Sequence, residues 1–179
     1  MLTNRNRIDM LKAIRVGDYY PITLNGSFYD YGARSTKTIN TTLKMQVAAI
    51  NPYTGYGQTA TDSLIQKESA IHYVFMSKEL LPVTVRMFYT LGKISGKNNW
   101  TNSGLFNTLN SESNGIYALL SAAYPEITSK IINMKEKTYC YNTNFTWIDR
   151  GKLFLPLPCE VFSGYKTYDT SIASGRLTT

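Results

Sequence analysis

The sequence predicts an α+β fold, with a mixed, mostly antiparallel sheet, an N-terminal hairpin and a central pair of helices. Three observations carry this expectation. Residues 39–50 alternate Ile39, Thr41, Leu43, Met45, Val47 and Ala49 on one face with Asn40, Thr42, Lys44 and Gln46 on the other, the two-residue period of a half-buried strand. Residues 115–124 instead bring Ile116, Leu119, Leu120 and Ala123 round at helical spacing. Strand and helix patterns follow one another irregularly, hairpin first and helices in the middle, which is not the order of a parallel βαβ array.

From the N-terminus, Ile8, Leu11 and Ile14 recur with a helical period over residues 4–15, with Asn4 or Asn6 as cap and Gly17 as breaker. So short a helix is marginal alone and must pack on its own domain or on a neighbour. The division expected is an N-terminal helical arm over 1–16 and a single α+β domain over 17–179. Residues 18–24 read as a strand, Asn25-Gly26 as a two-residue turn because both tolerate positive φ, and 27–31 as the returning strand. Pro21, which has no N–H to give a sheet ladder, puts the first of these at an edge or a bulge. Asn51-Pro52 ends the strand over 39–50, and the Gly-, Thr- and Tyr-rich residues 53–62 read as an exposed loop.

Residues 71–76 read as a strand too apolar to face water on either side, and 91–99 as a loop. Thr101 or Asn102 is placed to cap a helix carrying Leu105, Phe106 and Leu109, in which Gly104 costs about 1 kcal/mol relative to Ala. Pro125 starts a further turn, and 131–141 suggest a strand running into a polar loop. Residues 153–155 suggest a short buried strand. Pro158 suits the first turn of a helix over 159–162, which Gly164 terminates.

Composition narrows the function classes. A chain of 179 residues with 43% apolar residues forms a core without a metal or disulfide staple. The net charge is +7, yet Lys and Arg are scattered, with one denser group at Arg5, Arg7, Lys12 and Arg15. A nucleic-acid binder concentrates such residues on one face, so nucleic acid is not the expected partner, and the N-terminal group suits an acidic neighbour in an assembly. No stretch is long and apolar enough to span a bilayer, and no apolar signal core follows the N-terminus. Cys140 and Cys159 have no metal-type spacing; they stand either as a disulfide or as two free thiols of a reducing compartment. Fourteen Tyr suit half-buried strands and wet contact surfaces.

No nucleophile elbow, phosphate loop, dinucleotide fingerprint or zinc-protease motif is present. His72, the one histidine, lies in an apolar run and reads as packed rather than catalytic. Asp149 and Glu160 form a carboxylate pair only on paper, and Glu160 more plainly bonds backbone amides or a cation such as Arg86. The sequence therefore assigns no catalytic residue, metal or cofactor. The candidate ligand-binding residues are Trp100 and Trp147, each among Asn and Thr, with Asn102 and the loop residues Tyr53 and Tyr56. Indole and phenol rings stack on sugar while amides bond its hydroxyls. Core packing is the competing role, because Trp is highly buried on average.

Three segments in fixed order, IHYVFMSKELLP (71–82), NNWTNSGLFNTLNS (98–111) and GKLFLPLPCEVFSG (151–164), with LLSAAYPEITSKII (119–132) before the last, resemble a domain of unknown function found in bacterial proteins and phage structural proteins. The resemblance covers residues 16–164. It implies a C-type-lectin-like or sulfatase-modifying-like architecture and no catalytic residues. Phe106 stands where that family usually has Arg, and Pro156 and Pro158 depart from its Leu-Ser step. The family pattern continues beyond this point, which implies a sheet that is C-terminally shortened or completed by another chain.

Together these readings predict a non-enzymatic phage virion protein, a decoration, head-fibre or tail component located in the virion. Its expected partners are other virion proteins, with homo-oligomerisation or strand completion by another chain. The alternative is a receptor-binding module for host-surface glycan.

Overall fold

The computed structural model describes residues 14–52, 57–59, 71–86, 100–138 and 146–156. Strands β1 (Tyr19–Asp30), β2 (Ser35–Ile50) and β4 (Tyr73–Ser77) form one antiparallel sheet in the order β1-β2-β4. Strands β3 (Gly57–Thr59), β5 (Met134–Thr138) and β6 (Thr146–Gly151) form a second, in the order β3-β5-β6. A 3-10 turn at Trp100–Asn102 leads into helices α1 (Gly104–Asn110), α2 (Ile116–Ala123) and α3 (Pro125–Thr128). The α+β class expected from the sequence is thus the class observed.

The expected two-residue turn at Asn25-Gly26 is not there. β1 runs straight through it, with Asn25 opposite Asn40 and Gly26 opposite Ile39. The chain reverses at residues 31–34, where the Asp30 carboxylate accepts the Ala33 N–H (3.0 Å) and Arg34 takes a φ of 55°. Gly26 has a different task. A Cβ there would lie 2.8 Å from Leu119 Cδ2, and its φ is +145°, so it lets α2 lie close against the strand.

One face of the β1–β2 pair is therefore continuous. Ile22, Leu24 and Phe28 of β1 and Ile39 and Leu43 of β2 are buried beneath Leu105 and Leu109 of α1 and Ile116 of α2. Pro21 lies in β1, an edge strand of its sheet, as its missing N–H requires. The outer edge of β1 is covered by the helical layer. Thr23 N–H donates to Tyr124 Oη (2.9 Å), Tyr29 N–H to the Asn114 carbonyl (2.7 Å) and Tyr31 N–H to Thr108 Oγ1 (2.9 Å). Covering an edge in this way removes it as a template for unwanted pairing.

Ser103, not Thr101 or Asn102, caps α1, because the 3-10 turn takes up the two residues before it. Its Oγ accepts the Phe106 N–H (3.0 Å) and donates to the Trp100 carbonyl (2.7 Å). Gly104 costs helix propensity but allows contact: a Cβ there would stand 2.5 Å from the Gly32 Cα.

Other expectations are corrected. Residues 57–59, assigned to a loop, form β3. The strand over 71–76 is observed as β4, but Phe75 and Met76 are exposed, since β4 is an outer strand of its sheet. The strand expected at 153–155 is absent; β6 precedes it and Leu155 is exposed. Residues 152 and 153 are instead held by one side chain. Asn110 Oδ1 accepts Lys152 N–H (2.8 Å) and Leu153 N–H (2.9 Å), and its Nδ2 donates to the Leu153 carbonyl (2.8 Å). The helices expected over 4–15 and 159–162 fall outside the described residues, apart from residues 14 and 15, which are not helical.

Candidate interaction surface

The residues singled out as ligand contacts are placed as follows. Trp100 is half-buried on the 3-10 turn and packs against the main core. Its Nε1–H donates to the Arg150 carbonyl (3.0 Å), and its ring meets Phe106 edge-on with centroids 5.6 Å apart. The polar atom of the indole is thus engaged within the chain. Asn102 is exposed on the same turn, and Trp147 is half-buried in β6 opposite Lys137. Through Arg150 the structure ties Trp100 to the strand that carries Trp147. Tyr53 and Tyr56 lie outside the described residues, as do Cys140, Cys159 and Glu160.

Of the groups weighed for chemistry, His72 and Asp149 lie among the described residues. His72 is buried, and its backbone N–H donates to Asn51 Oδ1 (2.9 Å). The Asp149 carboxylate accepts the Gly151 N–H (2.7 Å) and the Asn133 Nδ2–H (3.3 Å). Among the described residues no cluster of His, Cys, Asp and Glu is arranged to hold a metal, and no helix is long and apolar enough to cross a membrane.

A buried carboxylate that the sequence reading missed organises one side of the first sheet. Asp30 is 0% exposed. It pairs with Lys37 Nζ (2.9 Å) and accepts the backbone N–H groups of Ala33 and Arg86. Lys37 Nζ also donates to the Thr84 carbonyl, so strand, turn and the segment 84–86 are locked together. Burial acts most strongly on this carboxyl and pushes its pKa up; the hydrogen bonds from Lys37, Ala33 and Arg86 and the Lys37 charge outweigh it and hold the pKa below the ordinary value. The signal in sequence was the parity of Asp30 with Ile22, Leu24 and Phe28, which puts it on the core face. A second pair joins the half-buried Lys152 to the exposed Glu112: Lys152 Nζ meets Glu112 Oε1 (2.8 Å) and lies 4.3 Å from the Tyr117 ring centroid. The Glu112 bond is the main cause of a raised Lys152 pKa.

Two surfaces of the first sheet remain open. The face of β1–β2 away from the helices carries the cross-strand pairs Thr23–Thr42, Asn25–Asn40 and Ser27–Thr38, all exposed. Thr23 and Thr42 hydroxyls are 2.9 Å apart, and Lys44 is the only charged residue on this face of the pair. The second surface is one end of the same sheet. Tyr19, Gln46 and Met76 form a row across the three strands, and Tyr20, Met45 and Ser77 the next. Tyr19, Tyr20, Phe75 and Met76 are exposed there, with Val16 before them and Leu80, 93% exposed, just beyond β4.

In comparisons with known proteins, the chain matches no family model, no curated protein and no solved structure.

Proposed function

We propose that this chain is a non-enzymatic virion structural protein of a phage, a decoration, head-fibre or tail component that binds other virion proteins. The observation that carries the reading is the apolar and aromatic end of the first sheet. Large contiguous exposed apolar patches on a folded protein mark contact sites, and the main core is already closed beneath the helices without these side chains. The ordered resemblance of the segments over 16–164 to a domain of unknown function found in bacterial proteins and in phage structural proteins supports the same reading, and with it the finer proposal of a C-type-lectin-like architecture. Fold alone does not fix function, so the test concerns location. Mass spectrometry of purified particles should find the chain at a fixed copy number; its absence from particles refutes the proposal.

A second reading, recognition of a neutral host-surface glycan, is favoured by the hydroxyl and amide pairs of the open β1–β2 face, which offer donors and acceptors with almost no charge. A glycan array probed with the wild-type chain and with the Thr38→Val, Asn40→Ala, Thr42→Val triple variant tests it. Binding that the triple variant loses supports a sugar site on this face, while binding unchanged in that variant places any sugar elsewhere.

A further inference from the structure

We infer that the end of the first sheet docks an acidic, apolar segment of a different virion protein. The inference rests on the assembly reading above and adds the partner's chemistry. Of the nine large hydrophobic side chains exposed among the described residues, five (Val16, Tyr19, Tyr20, Phe75 and Met76) gather at this end, and a sixth, Leu80, follows Lys78 and Glu79, which bond the backbone of Lys44. The register explains the gathering. Tyr19 and Met76 flank Gln46 on the open face, whereas Tyr20 shares the helix-side face with Met45, and Phe75 pairs with the buried Val47. The patch therefore wraps round the sheet end.

The charges at its rim choose the occupant. Arg15, Lys44 and Lys78 are cationic and exposed, and the Lys44 ammonium sits 5.6 Å from the Tyr19 ring centroid. The two acids nearby are turned onto this chain's own backbone. Asp18 Oδ2 accepts the Arg15 N–H (2.7 Å), and Glu79 Oε2 accepts the Lys44 N–H (2.8 Å). A second copy docking here would bring like cations together in a chain of net charge +7, which opposes self-association. A partner segment whose apolar side chains cover Phe75, Met76 and Leu80 while its carboxylates meet Lys44 and Lys78 satisfies both features.

The test places a photo-crosslinking benzoylphenylalanine at position 80 of the full chain and, separately, at position 27 on the open face. Particles are assembled with each, illuminated, and the joined peptides identified by mass spectrometry. The position 80 probe should join a peptide of another virion protein in which Asp or Glu alternates or clusters with apolar residues, and the position 27 probe should not. The exposed substitutions Leu80→Ser and Lys78→Glu together should lower the copy number per particle roughly tenfold, the loss of a modest hot spot, with the thermal midpoint of the free chain unchanged. Links from position 80 to this chain itself, to a second copy or to a basic partner segment overturn the inference, as does an unchanged copy number in the double variant. Absence of the chain from particles removes the assembly reading and this docking together. Its presence at fixed copy number with links only to itself removes the docking alone.

Discussion

Asp30 keeps a charge where no water reaches it, and its surroundings explain how. Each of its partners, the Lys37 ammonium and the amides of Ala33 and Arg86, favours the ionised form. Asparagine keeps one oxygen but sets an NH2 donor against the donors on the other side, the Ala33 amide or the Arg86 amide and Lys37 ammonium, and removes the charge that Lys37 pairs with. Asp30→Asn should therefore destabilise the fold by roughly 2–4 kcal/mol in urea denaturation at pH 7. The sign of the pH dependence follows from the direction of the shift. The folded carboxyl titrates below its ordinary value of 3.8, so its stabilisation is complete above that value and is lost as pH falls through the lower, folded one. The wild-type urea midpoint should hold steady with respect to this group from pH 7 to 5 and fall below about pH 4. The Asp30→Asn midpoint should lack that part of the acid limb; an identical limb in both proteins would assign acid sensitivity to other groups. Asn110 poses a separate question, because it acts as both donor and acceptor. Asn110→Asp keeps the acceptor for Lys152 and Leu153 N–H but sets a carboxylate against the Leu153 and Phe106 carbonyls. It should cost roughly 1–3 kcal/mol at pH 7, and that cost should shrink on acidification as the carboxyl gains a proton to donate.

At the scale of elements, the hairpin shows what was legible in the sequence and what was not. Strand alternation and helix spacing read off β2 and α2 because their faces are set by periodicity alone. The Asn25-Gly26 signal misled because a glycine that fits a tight turn also fits a close helix. Parity would have separated the two. In one uninterrupted strand Ile22, Leu24, Phe28 and Asp30 share a face, as they do here; a turn at 25–26 would have put Phe28 on the face opposite Leu24. Likewise β4 looked buried by composition, and only the strand order, which puts it at the outside of its sheet, makes Phe75 and Met76 surface residues. The candidate surface was thus mostly illegible: its side chains were visible, but not their convergence at one sheet end. Gly26 gives this account a direct check. Gly26→Ala must accept both a positive φ and a methyl 2.8 Å from Leu119 Cδ2, so it should lose roughly 1–3 kcal/mol. In a double-mutant cycle with Leu119→Ala, the combined loss should be smaller than the sum by about 1 kcal/mol, since the shortened side chain removes the clash and leaves the backbone strain. Strict additivity would mean that Leu119 is not what reserves the glycine.

At the scale of the whole molecule, the two sheets rest on unequal cores among the described residues. The first sheet shares with α1 and α2 a cluster that includes Ile22, Leu24, Phe28, Ile39, Leu43, Leu105, Leu109 and Ile116, all buried. The second buries Met134, with Val74 and Phe154 half-buried against it. Regions with little buried apolar contact open locally at lower free energy than the global value. Among the described residues the second sheet meets the first through the contact of Val74 of β4 with Met134 and, at its C-terminal end, through Asn110 holding residues 152 and 153 and Trp100 donating to Arg150. Native-state hydrogen exchange should therefore show two tiers, with amides of the β1–β2 ladder exchanging near the global unfolding energy and those of the β5–β6 ladder exchanging through openings about 2 kcal/mol lower. Asn110→Ala should widen the separation, lowering protection in β6 well before it touches β1, because it removes one of the links and leaves the main cluster intact. Equal protection across both ladders, or a loss in Asn110→Ala that is uniform, would mean that the sheets unfold as one cooperative unit and that the small cluster at Met134 is reinforced by more than the contacts described. With two tiers, the well-protected ladder is the one whose end carries the proposed docking patch, so a partner bound there meets a rigid surface and loses little freedom in ordering it.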